Sequence, residues 1–343
     1  MSNTEVRPDE VVCDGTAART LRILAPRDVP LGGPRAMPVR RTLPSRERSL
    51  IGAWCFVDHY GPDDVGATGG MVVAPHPHTG LQTVSWLFTG EIEHRDSIGS
   101  VATVRPGEVN LMTGGRGISH SENSAPGHRI LHGAQLWVAL PEPARNAAPA
   151  FAHHRPEPVV GHGWRARVFL GSLLGSTSPV ETFTPLLGAE LLLEPGTSLT
   201  MPVDASYEHG VLVDAGGVAV AGDSGDSGDA GDRTLVAKDH LAYLPPGCTS
   251  LTLESGGDGA RVLLLGGPPF GEQIIMWWNF VGRTHDEIVG YRDEWQAQVR
   301  AGTDDVVGDA AQMADGRFGI VVGNHQRPIP APPLPNGQLR PRG

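Results

Sequence analysis

The sequence predicts an all-β protein with few helices, and three observations support this fold class. The 343 residues include 46 glycines and 30 prolines, which favour short strands joined by tight turns over long helices. Apolar runs of strand length recur between Gly, Pro and Asp breaks, as in LQTVSWLFTG, SVATVRPGEVNLM and HGAQLWVALP. Hydrophobic residues make up 39% and charged residues 19% of the chain, proportions typical of a soluble globular protein with a substantial core.

The strand-length runs fall into two halves separated by a proline-rich bridge, LPEPARNAAPAFAHHRPEPVVG. This composition is typical of a linker or a crossover between domains. We therefore predict a flexible polar tail over 1–18, an N-terminal domain over 19–145 and a C-terminal domain over 146–300. The proline-rich tail over 301–343 is predicted to be extended, and either draped over a domain or disordered.

A hairpin centred on Gly90 is predicted in the first domain, because TVSWLFTG and GEIEHRD on either side of it have strand length. In the second segment, Ile92, His94 and Asp96 fall on one strand face, since side chains alternate between faces. His94 is therefore a candidate neighbour of a functional site, although a structural hydrogen bond is the commoner role of such a histidine. His59, in DHYGP, is predicted to be hydrogen-bonded to its sequence neighbours.

The two halves resemble a degenerate repeat. Setting Gly90 on Gly216 aligns one pair of strands, and setting Gly107 on Gly247 aligns the next pair. The second spacing is longer than the first, and the extra residues fall in an acidic run of Gly, Asp and Ser over 222–232. We predict that this run is an expanded, solvated hairpin loop rather than a calcium-binding repeat.

One helix is predicted near the end of the second half, in RTHDEIVGYRDEWQAQVR. Thr284 and Glu287 have the spacing of a capping box, in which each side chain binds a backbone N–H of the other residue. An apolar stripe at helical spacing follows, and it is expected to pack on the outside of a barrel: Ile288, Tyr291, Trp295 and Val299.

Charge and cysteine content exclude several functions. A formal net charge of -11 opposes direct binding of nucleic acid. The sequence has three cysteines, which are far apart and form no CxxC motif: Cys13, Cys55 and Cys248. Their number and spacing argue against a set of disulfides and indicate a reducing compartment. No apolar run approaches the roughly 20 residues of a membrane span, and the N-terminus has no signal-peptide pattern. We therefore expect a cytoplasmic protein without a membrane partner, and the oligomeric state is left open.

Two short motifs supply candidate metal ligands. In HPH, His76 and His78 point to one face of a strand because residues two apart share a face. Pro77 cannot donate to a ladder, so the strand is expected at a sheet edge, a strand start or a barrel rim. His120 and Glu122, in SHSEN, form a second pair of the same spacing. A lone HxH more often marks surface or hydrogen-bonded histidines, and the second pair favours a site.

Three neutral imidazoles and one carboxylate form a set of borderline ligands. Such a set suits Fe(II), and it also accepts Mn, Co, Ni, Cu or Zn. With Fe(II) and a single carboxylate the ligand set keeps one net positive charge, which attracts an anionic oxygen such as a phenolate or an enolate. Positions left open at the ion permit chemistry with O2.

The longer segments that contain these motifs resemble the pirin family, a branch of the cupins. HPHTGLQTVSWLFTGEIEHRDSIGS and RPGEVNLMTGGRGISHSE resemble the family signature, and LPSRERSLIGAWCFVDHYGP and LHGAQLWVALP resemble further pirin segments. The resemblance extends over about residues 20–141. It continues more weakly in the second half, where GGPPFGEQIIMWWNFVGRTHDEIVGYRDEW is similar to the closing strand and helix of the family.

This resemblance implies a bicupin fold, with two antiparallel β-barrel (jelly-roll) domains and a metal ion in the N-terminal barrel only. It also implies that the ligands are His76, His78, His120 and Glu122. In the repeat alignment, the four ligand positions correspond to residues of the second half that do not form a set of metal ligands: Pro202, Asp204, Ala260 and Val262. The second barrel is therefore expected to bind no metal in this way.

One position departs from the family pattern. Pirins usually keep a glutamate shortly after HPH, and this chain has Gln82 there. That glutamate is not a pirin ligand, so metal binding is expected to survive while the choice of substrate is affected. Gln82, His94 and Arg116 are therefore candidates for positions around the ligands or in the substrate pocket. Arg116, in GGRGISH, either neutralises a substrate anion or braces its loop.

The resemblance implies two alternative functions. The first is a metal-dependent dioxygenase similar to quercetin 2,3-dioxygenase, which cleaves a flavonol or a similar enol or phenol substrate with O2, and in which Glu122 acts as a general base. The second is a regulatory binding protein without turnover, whose metal or redox state controls its binding to a transcription or metabolic protein. Both functions require the same four ligands.

Overall fold

The computed structural model describes four stretches of the chain, which are residues 21–31, 37–223, 233–301 and 316–341. The predicted tail over 1–18 and nearly all of the acidic run over 222–232 lie outside these residues. Within the described stretches, no helix has both the length and the apolar character needed to cross a bilayer.

The regular secondary structure of the described residues consists almost entirely of strands. Its first half forms β1 (Arg22–Leu24), β2 (Arg27–Leu31), β3 (Met37–Leu43), β4 (Trp54–Asp64), α1 (Val65–Thr68), β5 (Val72–His78), β6 (Leu81–Thr89), β7 (Ile92–Asp96), β8 (Val101–Val104), β9 (Val109–Thr113), β10 (Ile118–Ser124), β11 (Ile130–Ala139) and β12 (Ala150–His154). Its second half forms β13 (Val159–Gly161), β14 (Trp164–Leu170), β15 (Ser172–Leu173), β16 (Ser176–Thr177), β17 (Leu187–Leu193), β18 (Ser198–Pro202), β19 (Glu208–Gly222), β20 (Thr234–Val236), β21 (Leu241–Leu244), β22 (Ser250–Gly267), β23 (Ile275–Trp277), β24 (Phe280–Gly282) and α2 (His285–Ala301).

Three large antiparallel sheets form two β-barrel domains, so the predicted all-β class is confirmed. The first domain has a seven-stranded sheet in the order β12-β9-β6-β11-β4-β3-β2 and a four-stranded sheet in the order β5-β10-β7-β8. The second domain has a nine-stranded sheet, β1-β21-β19-β22-β17-β14-β13, with β18 beside β22 and β20 beside β19. β1, at the start of the described chain, pairs with β21 in the sheet of the second domain. β12, after the proline-rich bridge begins, pairs with β9 in a sheet of the first domain. The domain limits at 145 and 146 remain predictions.

The predicted hairpin at Gly90 is wrong. β6 pairs with β9 and β11 in the seven-stranded sheet, whereas β7 pairs with β8 and β10 in the four-stranded sheet. Gly90 has a φ of 85°, and a Cβ there would lie 2.4 Å from the carbonyl oxygen of Ile130. The chain therefore passes from one sheet to the other at this glycine. Turn residues in the sequence do not show this, because the strands that pair with β6 and β7 lie farther along the chain.

A large apolar cluster holds the two domains together. It joins one face of the seven-stranded sheet to one face of the nine-stranded sheet, through residues such as Val84, Trp86, Leu136, Phe169, Leu212 and Leu263. A separate apolar cluster fills the second barrel, and it includes the repeat-aligned positions Ala260 and Val262. The interior of that barrel is therefore packed by hydrophobic side chains where the first barrel has polar ones.

The predicted helix and its cap are confirmed. The backbone N–H of Glu287 donates to Thr284 Oγ1 at 3.2 Å, and that of Thr284 donates to Glu287 Oε2 at 3.4 Å. Trp295, on the apolar stripe of α2, donates its indole N–H to the carbonyl of Ile329 at 2.8 Å. The N–H of Ile329 in turn donates to the carbonyl of Pro75 on β5. The described part of the tail is thus draped over α2 and the strand that carries HPH.

The turn that follows HPH is fixed by close backbone packing. Gly80 has a φ of 68°, its N–H donates to the carbonyl of Gly115, and its carbonyl accepts from the N–H of Leu140. A Cβ at this position would lie 2.2 Å from the carbonyl oxygen of Val281. Only glycine fits here, because the left-handed backbone is strained for other residues and the neighbouring atom belongs to the rigid backbone.

We predict that Gly80→Ala lowers the free energy of unfolding by about 3 kcal/mol, since left-handed strain and overpacking add together. The matched control is Gly99→Ala, because Gly99 also has a positive φ, of 92°, but has nothing within 4 Å of the added Cβ. The control is expected to cost about 1 kcal/mol, which is the backbone strain alone. Urea unfolding of both variants measures the difference, and equal losses would contradict the packing argument.

Candidate metal centre

The two ligand motifs meet because β5 and β10 are antiparallel neighbours. His120 lies directly opposite His76, and Ile118 lies opposite His78. Residues opposite each other share a sheet face, so the three histidines point the same way. A register shift after His120, as in a β-bulge, alters how Glu122 faces β5. As predicted from Pro77, β5 is an edge strand of its sheet.

A third strand adds a fourth imidazole to the same face. β7 flanks β10 on the side away from β5, and in this pairing Glu122 lies opposite His94. The ligand atoms of His76, His78 and His120 all lie within 4.8 Å of one another, and so do those of His94, His120 and Glu122. The structure therefore brings together all four predicted ligands and His94, in two groups that share His120.

Backbone hydrogen bonds determine which ring nitrogens face inward. Nδ1 of His76 lies 2.9 Å from the carbonyl oxygen of Ala74, and Nδ1 of His78 lies 3.2 Å from that of Asn279. A carbonyl only accepts, so Nδ1 must carry the proton in both rings. In the neutral rings Nε2 then bears a lone pair, through which it can bind a metal.

The inward nitrogens lack ordinary protein partners. Nε2 of His76 has no hydrogen-bond partner among the described residues. Nε2 of His78 lies 3.0 Å from Nε2 of His120, so two nitrogen atoms face each other. Buried polar atoms without partners are rare in folded proteins. These atoms fit a divalent metal ion, which would accept a lone pair from each.

Burial keeps the three rings neutral and ready to ligate. His76, His78 and His120 are fully buried. Burial lowers the pKa of His76 to about 3, and it lowers the pKa of His78 and of His120 well below the usual range. The cause is that an imidazolium loses its hydration in the interior of the barrel. At neutral pH, protons therefore do not compete with a metal ion for these nitrogens.

Glu122 supplies the negative charge of the cluster. It is 1% exposed, and the hydroxyl of Ser85 on β6 lies 3.4 Å from its Oε1. The same hydroxyl donates to Oε1 of Gln135 on β11 at 2.9 Å. The carboxylate thus faces both the histidines of the four-stranded sheet and polar groups of the opposing sheet.

Aromatic side chains close around the histidines. Trp137 on β11 makes an edge contact with the ring of His78, with centroids 5.2 Å apart. Phe151 on β12 stacks on His94 at 4.9 Å. His94 also lies 3.3 Å from Asp96 Oδ2 through its Nε2. Trp137 and Phe151 are not among the residues predicted from the sequence. The contact of the Asn279 carbonyl with His78 could not be predicted either, because it joins residues 201 positions apart.

Two further predicted positions lie elsewhere. Gln82 shares its face of β6 with Val84 and Trp86, which pack between the domains, whereas Ser85 on the other face reaches Glu122. The amide of Gln82 donates to Thr113 Oγ1 at 3.0 Å. The side chain of Arg116 is exposed, and its backbone N–H donates to the carbonyl of Ala147. The structure brings neither side chain to the histidine cluster.

Family models match both halves of the chain. Residues 36–138 match the family model described as Pirin, and residues 188–301 match the model described as Pirin C-terminal cupin domain. A Pseudomonas aeruginosa protein named "Putative quercetin 2,3-dioxygenase" is 41% identical over 98% of both chains. A Caulobacter vibrioides "Pirin-like protein" is 37% identical over 76% of this chain and 88% of its own.

A crystal structure gives the same result for the fold. The structure of quercetin 2,3-dioxygenase from Acinetobacter baumannii superposes with a TM-score of 0.80 and 36% identity. The match covers 94% of this chain and 98% of the other chain. The two β-barrel domains of this protein are therefore cupin domains, and the bicupin expectation is confirmed.

For the cluster itself, we predict that His120→Ala lowers the bound metal by one ion per chain, because this ring belongs to both groups of ligand atoms. The measurement is elemental analysis after anaerobic purification, with circular dichroism to verify the fold. His153→Ala is the control, since His153 lies on β12 of the same domain and pairs with Asn110 outside the cluster. Full metal content in folded His120→Ala protein would show that the ligands lie elsewhere.

Proposed function

This chain belongs to the pirin family, and on that basis we propose that it is a metal-dependent dioxygenase that acts on a flavonol or a related enol or phenol. Fe(II) is proposed as the metal, held by His76, His78, His120 and Glu122. O2 is the second substrate. The proposed location is the cytoplasm.

One observation carries this proposal, the clustering of three neutral, buried imidazoles and a buried carboxylate in the first cupin domain, in two groups of ligand atoms that share His120. Histidine and carboxylate together suit Fe(II), and a net positive charge of one attracts an anionic substrate oxygen. The names of the relatives support the substrate class. The protein that is 41% identical is named "Putative quercetin 2,3-dioxygenase", and the structure with a TM-score of 0.80 is named as quercetin 2,3-dioxygenase.

A bound ion would supply Lewis acidity and a template on which the substrate oxygens and O2 are brought together. The ligand atoms would be Nε2 of each of the three histidines and the carboxylate of Glu122. The carbonyls of Ala74 and Asn279 hold two of the rings in the correct tautomer through Nδ1. This positioning makes the nitrogens available without a rearrangement of the barrel.

Glu122 is proposed to take the hydroxyl proton of the substrate at its carboxylate. Removing that proton gives the enolate or phenolate, the electron-rich form that reacts with O2. A carboxylate acts as a base when it lies within hydrogen-bond reach of the proton. Oγ of Ser85, on the opposite sheet, lies 3.4 Å from Oε1 of Glu122. The proton remains in the pocket, where it is available to the product.

Burial of the cluster serves the reaction by excluding water. Trp137 and Phe151 cover His78 and His94, and the candidate ligands are at most 1% exposed. In such surroundings electrostatic interactions are stronger than in water, and an activated substrate is protected from side reactions.

The function is tested by loading the protein with Fe(II) without oxygen and then adding a panel of flavonols in oxygenated buffer. We expect loss of the flavonol absorbance with uptake of one O2 per substrate, because a dioxygenase inserts both oxygen atoms. Metal-free protein is the control. Stoichiometric metal without turnover across the panel contradicts the enzyme proposal and supports the regulatory alternative.

The role of Glu122 is tested separately with Glu122→Gln, which keeps the volume and removes the basic oxygen. Compared per bound metal ion, kcat is expected to fall by about a hundredfold or more. Glu93→Gln serves as the control, because this carboxylate on β7 is paired with Arg95 on the solvent side. An unchanged kcat per metal ion in Glu122→Gln would exclude Glu122 as the base.

A further inference from the structure

A second cluster of titratable side chains lies between the two domains, apart from the centre described above. His59 on β4 and His132 on β11 come from the first domain, and Asp214 on β19 comes from the second. The two histidines are 0% and 8% exposed, and Asp214 is 0% exposed. Ligand atoms of the three residues lie within 4.8 Å of one another.

Three atoms of this cluster face a common point. Nε2 of His59 lies 2.7 Å from Asp214 Oδ1, and Nε2 of His132 lies 2.6 Å from the same oxygen. The two Nε2 atoms are 3.4 Å apart. Ligands bound to one ion at about 2.0–2.1 Å in a tetrahedral arrangement lie about 3.3 Å from each other. The nitrogens already have this separation, and Asp214 Oδ1 would have to lie about 0.6–0.7 Å farther from each of them.

Charged side chains lie near the outer atoms of two of these residues. Nδ1 of His59 lies 3.0 Å from Asp239 Oδ1, although the two atoms do not have hydrogen-bond geometry, and Arg261 donates to Asp214 Oδ2 at 3.2 Å. A carboxylate near the outer nitrogen is common for a histidine that binds a metal. The cluster thus has a converging set of ligand atoms and a carboxylate beside the outer nitrogen of one imidazole.

The sequence expectation for His59 differs from this arrangement. Its neighbour Asp58 is bound by Arg41 through two hydrogen bonds of 2.6 and 2.8 Å. The hydroxyl of its other neighbour, Tyr60, has no hydrogen-bond partner among the described residues. Neither neighbour partners the imidazole, which instead faces a residue 155 positions away, across the domain boundary. Local hydrogen bonding therefore does not explain why a histidine is buried here.

We propose that His59, His132 and Asp214 form a second metal site, which binds a borderline divalent cation of the zinc type and connects the two cupin domains. Two imidazoles and one carboxylate match the ligand preference of such ions. The site differs from the first in position and in having ligands from both domains. It does not depend on the dioxygenase activity.

The surroundings are compatible with the charge and the entry of an ion. Two neutral histidines and one carboxylate leave a divalent ion with one positive charge, close to the carboxylate of Asp239. Arg40, which lies 3.3 Å from that carboxylate, also lines a surface cavity of about 120 Å3. The side chain of Asp239 is 19% exposed, while His59 and Asp214 remain fully buried.

An ion at this position would stabilise the contact between the two cupin domains. Each domain contributes at least one ligand, so the ion would bind the paired domains and not the separated ones. A ligand that binds only the folded, assembled state stabilises it. The competing occupant is a proton, in which case His59 and His132 donate N–H to Asp214 Oδ1 and no metal is held.

Zinc stoichiometry tests the proposal. After treatment with a chelator and reloading with Zn(II), the full-length protein is expected to bind two ions per chain. His132→Gln and the double variant His78→Ala/His120→Ala are each expected to bind one, and the combination of all three changes none. His162→Ala, which removes an exposed histidine, is the control and keeps two. One ion or none in the wild-type protein overturns the proposal, and so does an unchanged count in His132→Gln.

A second measurement keeps the test decisive if His132→Gln does not fold. Asp239→Asn leaves the ligands in place and is expected to weaken zinc binding at this site by about 10- to 100-fold. In the His78→Ala/His120→Ala background, zinc is expected to raise Tm by about 5 °C. Zinc binding that is unaffected by Asp239→Asn, together with an unchanged Tm, overturns the proposal.

Discussion

The antiparallel register of β5 and β10 is the constraint on which the candidate metal centre depends. It places His76 opposite His120, and since side chains alternate along β5, it also directs His78 toward the same space. The pairing of β10 with β7 places Glu122 opposite His94, on the face of β10 that carries His120. A slip by one residue would turn either pair to the opposite face of the sheet. The backbone of Gly80, packed against the carbonyl of Val281, fixes the end of β5 and so helps to maintain this register.

Burial then gives these residues their chemistry. A histidine without water around it is neutral, and a carbonyl on Nδ1 leaves a lone pair on Nε2. Such lone pairs are poorly satisfied in a protein interior, as at His76, unless a cation accepts them. The packing that forms the core of the first barrel therefore also prepares a set of ligands. In the second barrel, Ala260 and Val262 occupy the positions aligned with His120 and Glu122, and the same fold yields a hydrophobic core there.

Much of this arrangement could be predicted from sequence, because it depends on local periodicity. The two-residue spacing of the ligands in HPH and HSE predicted that each pair of side chains lies on one face of a strand. Pro77 predicted an edge strand, and the capping box predicted the start of α2. What could not be predicted depends on pairing between distant residues. Gly90 was interpreted as a hairpin turn because both flanking segments have strand length, but each segment finds its partners in a different sheet.

The same limit explains the positions of Gln82 and His59. The sequence shows that Gln82 alternates with its neighbours, but not which face of β6 lines the barrel and which face meets the second domain. His59 has polar neighbours in sequence, yet its partners come from strands of both domains. Sequence comparison within a family can supply ligands by motif, whereas a cluster assembled between domains requires the three-dimensional structure.

His76, His78, His120 and Glu122 are proposed to hold one metal ion in the first barrel. Anomalous diffraction at the iron edge, from crystals grown with Fe(II) without oxygen, tests this assignment most directly. We expect a strong anomalous peak at about 2.0–2.2 Å from Nε2 of each histidine and from the carboxylate of Glu122. The absence of a peak at this position, in crystals of protein that contains iron, would contradict it.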